Sequence, residues 1–132
     1  RALRFYLTRA DLAPNPRQGT AWQFMYASAN DRAFITTMGF DTTGFRILLA
    51  LFKRLWETTP IPRGDVNDES QQIRLGRRSL DAAGALGHVL HYLNSTISDS
   101  SLQQIFALTP AVCSRYRNFG MKILFQALCE LP

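Results

Sequence analysis

The stretch from Ser79 to Leu131 decides the fold and reads SLDAAGALGHVLHYLNSTISDSSLQQIFALTPAVCSRYRNFGMKILFQALCEL. Its apolar residues recur at steps of three and four, which is the period of an α-helix. Two breaks interrupt this pattern: the polar run STISD at 95–99, and Thr109 followed by Pro110. A hydroxyl followed by a proline suits the cap and the first position of a new helix. The stretch therefore predicts three consecutive helices, of which the middle one is short.

Each of these helices has a start signal and an apolar stripe. Ser79 is the predicted cap of the first helix, Asp99 or Ser100 that of the second, and Thr109 that of the third. Residues at helical spacing predict the buried side. In chain order they are Ala83, Leu86, Leu90, Leu93, Leu102, Ile105, Phe106, Val112, Tyr116, Phe119, Ile123, Ala127 and Leu131.

Two glycines, Gly84 and Gly87, lie inside the first of these helices. Glycine weakens a helix because it adds backbone freedom to the unfolded chain. We therefore expect these glycines to serve packing, by letting a neighbouring element approach closely.

Three further helices are predicted upstream, after a turn-rich start at residues 1–19. Thr20 and Asn30 are placed to cap two short helices, and Gly39 ends the second. Asp41 caps a longer helix with an apolar stripe of helical period. Its members are Phe45, Leu48, Leu49, Phe52 and Trp56.

The predicted fold class is all-α, a helical bundle with a C-terminal three-helix helix-turn-helix subdomain. Residues 1–58 form a helical leader region, and residues 79–132 form the helix-turn-helix subdomain. Between them, residues 59–78 form a connector with a basic arm, because this segment combines prolines, a glycine and a polar cluster. We expect the parts to form one compact unit.

Composition points to one folded domain. The chain has 132 residues, 46% of them hydrophobic, with nine Phe, four Tyr and two Trp, which argues against disorder throughout. The net charge of +5 favours phosphate-rich partners. The sequence has no apolar run long enough for a membrane span. Because the chain begins with Arg1, we expect a fragment or a trimmed chain.

The two cysteines, Cys113 and Cys129, fall on one predicted helix. At about 1.5 Å of rise per residue they are roughly 24 Å apart, too far for a disulfide. We therefore expect both cysteines to be reduced thiols, which are typical of intracellular proteins.

The helix-turn-helix pattern carries the functional prediction. The first two helices bury the back of the third, which leaves its front free to enter a DNA major groove. Three side chains that point away from the predicted stripe can hydrogen-bond base edges: Ser114, Arg115 and Asn118. The predicted phosphate contacts are Arg74, Arg77 and Arg78 of the basic arm together with Arg117 and Lys122 of the third helix.

Each of these signals also has a structural interpretation. A three-helix bundle with a few exposed arginines is common, so that Arg117 and Lys122 could form an ordinary solvated face. Arg77 and Arg78 could be loop charges that pair with Asp81.

The sequence predicts neither a catalytic site nor a cofactor. His88 and His91 are three residues apart, but no Cys or carboxylate nearby completes a metal-ligand set, so we expect packing or surface residues. Cys113 lies near a helix start, which favours a thiolate, yet no His or acid is visibly paired with it. We expect no nucleophile there.

Four segments resemble one family. They are NDRAFITTMGFD (30–41), TTPIPRGD (58–65), GRRSLDAAGALGHVLHYLNST (76–96) and SLQQIFALTPAVCSRYRNFGMKILFQAL (101–128). In order and spacing they are similar to the N-terminal helix-turn-helix region of PIF/Harbinger-type transposases of the DDE superfamily, particularly fungal ones. The resemblance covers roughly residues 5–132.

The resemblance implies a non-catalytic DNA-targeting domain that is nuclear and binds double-stranded DNA. In such transposases this region precedes an RNase H-like domain, which cuts DNA with three acidic residues and divalent metal. The chain ends at Pro132, before any such domain, so no catalytic residue is carried over. A full-length parent could be a metal-dependent transposase or nuclease. The family also implies a Myb/SANT-like partner protein, which leaves open whether the third helix meets DNA or protein. By position, the contact face of this helix falls on Ser114, Arg115 and Asn118.

A second hypothesis is a protein-interaction or dimerisation module derived from the same family, with a homodimer as one form. The first half is rich in aromatic residues: Trp22, Phe24, Tyr26, Phe45 and Trp56. The alternative is that these residues build the core of the domain itself.

Overall fold

A computed structural model of the chain describes residues 7–61, 78–94 and 97–130. Within these ranges there are six α-helices, a 3-10 turn at Arg9–Asp11 and no strand, so the predicted all-α helical bundle is confirmed. No helix in the described ranges has the length and apolarity needed to cross a bilayer. The helices are α1 (Ala21–Ser28), α2 (Asp31–Met38), α3 (Thr42–Thr58), α4 (Ala82–Asn94), α5 (Asp99–Phe106) and α6 (Pro110–Cys129).

The first three helices begin where their capping residues predict. The side chains of Thr20, Asn30 and Asp41 each accept a hydrogen bond from the backbone N–H three residues later. Gly39 ends α2 with a φ of 82°, in the left-handed region that favours glycine.

Two predicted caps are wrong by one or two residues. The carboxylate of Asp81, rather than Ser79, accepts from the backbone N–H of Gly84 at 2.8 Å and starts α4. Ser79 instead donates its N–H to the Tyr116 hydroxyl at 2.7 Å. Helix α5 is capped by Ser98 rather than by Asp99 or Ser100, because its hydroxyl accepts from the N–H three residues on.

Helix α4 is the centre of the bundle. It packs against all five other helices, and its residues from Gly84 to His91 are all buried. The predicted one-sided stripe is therefore only partly right. Leu86 and Leu90 are buried, whereas Leu93 is 53% exposed. A helix with neighbours on every side buries its whole circumference, and solvent is reached only at its ends, where Ala83 of the first turn is half-buried and the last turn is exposed.

Glycines allow the neighbouring helices to come close to one another. A Cβ at Gly87 would lie 2.3 Å from the ring of Trp22, and one at Gly120 of α6 would lie 2.4 Å from the Val89 side chain. Trp22 also stacks on Phe106 at 5.4 Å between ring centroids. The expectation that Gly87 admits a close neighbour is confirmed, and that neighbour is an indole ring of α1.

Helix α3 lies antiparallel to α6. Trp56, near the end of α3, contacts the rings of Tyr116 and Phe119 in the first half of α6, with centroids 5.9 and 5.2 Å apart. Leu48, nearer the start of α3, lines a cleft together with Leu128, near the end of α6. Helices from both sides of residues 62–77 thus share one core.

The aromatic residues of the first half mainly build this core. Trp22, Phe45 and Trp56 are each at most 1% exposed, as the structural interpretation predicted. Phe24 is the exception, since 73% of its surface is exposed.

We predict that Gly87→Ala destabilises the protein by about 1–3 kcal/mol or more, because the added methyl overlaps the Trp22 ring. The control is Gly44→Ala in α3, where the nearest atom to the new Cβ is the Asp41 carboxylate oxygen at 3.1 Å. The free energy of unfolding in urea should fall much more for the first variant, because a buried indole ring cannot move aside as the exposed Asp41 side chain can. An equal effect of both would contradict the close indole contact.

Candidate nucleic-acid interface

The long helix α6 buries one side and presents the other to solvent. Its buried residues face α3, α4 and α5: Cys113, Tyr116, Phe119, Gly120, Ile123, Leu124 and Ala127. The opposite side forms an outward ridge with alternating steps of four and three: Ala111, Arg115, Asn118, Lys122, Phe125 and Cys129, all exposed. From Arg115 to Lys122, its first half, the ridge is polar, and after Lys122 it is apolar.

A three-residue turn connects α5 to α6. Ala107 ends α5 with a φ of 57°, and the N–H of Leu108 donates to the carbonyl of Gln103 at 2.9 Å. Leu108 itself is fully buried. This closure satisfies a free carbonyl at the end of α5 and anchors the turn in the core.

The predicted base-contacting residues lie together at the start of α6. Arg115 and Asn118 are exposed on neighbouring turns, and Ser114 is half-buried beside them. Lys122 follows one turn later on the same ridge. Within the described ranges, neither Arg115 nor Lys122 takes part in an ion pair. The first half of the ridge therefore carries two positive charges that no carboxylate offsets there.

Arg117 is placed differently from the other predicted phosphate contacts. Its guanidinium donates to the Asp99 carboxylate at 3.1 Å and lies 4.7 Å from the centre of the Tyr92 ring. It therefore joins α6 to the start of α5 and the end of α4, and Asp99 offsets its charge. This position favours a structural role over a phosphate contact.

The prediction for Arg78 needs correction, because this residue belongs to the interior. Its side chain is 8% exposed and donates to the backbone carbonyls of Trp56 and Thr59. The guanidinium also lies 4.8 Å from the centre of the Trp56 ring. Burial lowers the pKa of Arg78 from its ordinary value. The guanidinium binds carbonyls at the end of α3 and is not available to a phosphate in this fold.

The other two residues of the predicted basic arm, Arg74 and Arg77, lie outside the described residues.

A buried thiol–imidazole pair lies behind the outward ridge. Nε2 of His88 is 3.1 Å from Sγ of Cys113, and both residues are buried. Nδ1 of His88 has no hydrogen-bond partner among the described residues. His91 donates from Nδ1 to the Gly87 carbonyl, 2.7 Å away, and meets the Phe106 ring edge-on. Of the two expected roles, packing or surface, both histidines have the packing role.

This pair contradicts the expectation that no histidine is paired with Cys113, but it does not form a nucleophile. Burial raises the pKa of the Cys113 thiol to about 11 and lowers the pKa of His88 to about 4. Both groups are therefore neutral near pH 7, whereas nucleophilic attack requires a thiolate. No three His, Cys, Asp or Glu side chains in the described ranges are grouped so as to hold a metal ion.

The sequence analysis missed two features of this region, the burial of Cys113 and the burial of Arg78. Cys113 follows the same helical period as Tyr116 and Gly120, a signal for the buried side that the more apolar Val112 obscured. The burial of Arg78 had no local signal, because its carbonyl partners belong to the end of α3, about twenty residues earlier.

Comparisons with family models, with curated proteins and with solved structures find no match to this chain.

We predict that Arg78→Met lowers the free energy of unfolding by about 2–4 kcal/mol, because one buried and one partly buried carbonyl lose a charged donor. Arg115→Met is the matched control on the surface and should change stability by about 0.5 kcal/mol or less. Urea denaturation of both variants measures the difference. Equal free energies of unfolding for the two variants would contradict the structural role of Arg78.

Stability should fall with acid because of His88. Burial lowers its folded-state pKa to about 4, while an unfolded histidine has its ordinary value of 6.5. The unfolded chain therefore takes up a proton first, so stability is complete above pH 6.5 and is lost as the pH falls towards 4. The loss from His88 alone reaches about 2 kcal/mol at pH 5. The pKa of His91 is also lowered by burial and acts in the same direction.

Urea unfolding at pH 7.5 and pH 5 tests this prediction, with His88→Leu as the comparison. The variant should lose less stability between the two values than the wild-type chain. The same loss in both proteins would contradict the assignment to His88.

Proposed function

We propose that this chain is a DNA-targeting helix-turn-helix domain, in which α6 is the recognition helix and α5 the helix that precedes the turn. The observation that carries the proposal is the first half of the outward ridge, where Arg115, Asn118 and Lys122 are exposed on one side of a helix. A single helix of this kind fits a major groove.

The arrangement of the three last helices supports this role. Helix α5 has 8 residues, three residues separate it from α6, and α4, α5 and α6 all pack against one another. The buried side of α6 is fully occupied by packing. DNA contacts would therefore use the ridge, with Arg115 and Asn118 at base edges, Ser114 beside them and Lys122 at a phosphate.

The proposed origin is the N-terminal region of a PIF/Harbinger-type transposase, or a domesticated derivative of one. The support is the sequence resemblance of the four segments described above. With this origin the domain is non-catalytic by itself and nuclear. A Myb/SANT-like protein would be a further partner.

A protein-interaction or dimerisation module is the second candidate function. The observation that favours it is the second half of the ridge, where Phe125 is 70% exposed. The two functions are compatible, because they use different halves of α6.

We predict that Arg115→Ala weakens binding to a selected duplex by about 1–3 kcal/mol, as for loss of a bidentate base contact. Lys122→Ala should weaken binding to all duplexes alike and reduce the slope of log affinity against log salt by about 1. Fluorescence anisotropy across a salt series measures both effects.

The matched control is Arg32→Ala, which removes the same charge from an exposed position of α2. Its effect on affinity should be small. If Arg32→Ala weakens binding as much as Arg115→Ala, the binding is a general charge effect and the role of the ridge is contradicted. The absence of binding to any duplex at low salt would contradict the proposed function as a whole.

A further inference from the structure

An apolar surface lies at the second half of α6 and is separate from the proposed DNA contacts. Met121, Phe125 and Leu128 follow one another at steps of four and three, so they share one side of the helix. They are 37%, 70% and 44% exposed. Side chains of this size are usually covered in a soluble protein when they are contiguous.

A cleft opens next to these side chains. Its volume is ≈ 310 Å³, and it lies between the end of α2, the end of α4 and the second half of α6. The lining is almost entirely apolar: Met38, Gly39, Phe40, Leu48, Leu90, Leu93, Asn94, Leu124 and Leu128. Apolar cavities of about 150 Å³ already hold a benzene ring. The cleft is therefore large enough for an aromatic side chain from outside.

The protruding ring and the cleft occupy the same face of the molecule. Phe125 directly follows Leu124 and is three residues before Leu128, and both leucines line the cleft. A symmetric dimer requires one patch that complements itself, so that each copy offers what the other receives. A projecting ring beside an apolar cleft of suitable size meets this requirement.

We propose that this face binds a second copy of the chain in a two-fold symmetric dimer, with Phe125 of each copy in the cleft of the other. We call it the dimer face and define it by Phe40, Leu93, Met121, Phe125 and Leu128. The partner of the chain at this face is therefore another copy of itself.

The area of the dimer face agrees with this occupant. Its five side chains are exposed by about half on average, and a large apolar side chain has about 200 Å² of accessible surface. Five such side chains give about 500 Å² of apolar surface per copy and about 1,000 Å² per dimer, which is the threshold of about 1,000 Å² for a biological interface. The polar surroundings of the cleft add to this area.

The dimer has a consequence for DNA, which rests on the proposed function. Arg115 precedes Phe125 by ten residues, or about 15 Å along α6. With the two α6 helices antiparallel about an axis near Phe125, the two Arg115 residues are about 30 Å apart. This separation is close to one turn of DNA, about 34 Å, the usual spacing of half-sites.

Sedimentation velocity of the whole chain in reducing buffer, without DNA, tests the dimer independently of the proposed function. The wild-type chain should show a concentration-dependent monomer–dimer equilibrium. Phe125→Asp should raise the dimer Kd by about tenfold or more, because it places a charge in an apolar cleft. Its helical content at low concentration should equal that of the wild-type chain. Phe24→Asp, an equally exposed phenylalanine on α1, is the control and should leave the Kd unchanged.

A charge-pair experiment tests the contact between Phe125 and the cleft. Phe125→Glu and Leu93→Lys should each weaken self-association, whereas their mixture should form heterodimers. One half of that interface then pairs Glu with Lys, and the other half keeps the native Phe–Leu contact. A monomer at all accessible concentrations, or dimers that Phe125→Asp leaves unchanged, would overturn the proposal. Failure of the mixture to associate would overturn this contact between the two copies.

Discussion

The close approach of Trp22 to Gly87 is the contact on which the rest of the structure depends. An indole ring can lie on the backbone of α4 only where no side chain intervenes. This contact places α1 on one side of α4, and the similar contact between Val89 and Gly120 places α6 on another. These contacts help to bury α4 on all sides. The surface of the protein is therefore formed by the outer helices, and the outward ridge of α6 is part of that surface.

The interior also explains which charged residues remain for function. Arg78 and Arg117 are both held by the fold, the first by carbonyls at the end of α3 and the second by Asp99. Arg115 and Lys122 project from the ridge without an ion-pair partner in the described ranges. The positive charges of the chain are therefore not equally available to a phosphate. The proposed DNA contact is limited to about three turns at the start of α6, and the apolar dimer face begins where these turns end.

Local patterns predicted most of the fold. The capping residues Thr20, Asn30 and Asp41 and the stripe of α3 are short-range signals, because a cap and its N–H are three residues apart. The burial of α4 was harder to predict, since a helix surrounded by neighbours has no single apolar side. The sequence also predicted the exposed positions of Arg115 and Asn118. It failed for Arg78, and it missed the pairing of His88 with Cys113, because these contacts join residues 22 and 25 positions apart.

The central claim is that the first half of the α6 ridge is the surface that meets DNA. Titration of the isotopically labelled chain with a short duplex, followed by amide chemical shifts in NMR spectra, tests it most directly. The account predicts that the largest shifts map to residues 111–122 on the outward side of α6, with small changes at α1 and α2. Shifts that cluster on another helix, or no shifts at low salt, would contradict it.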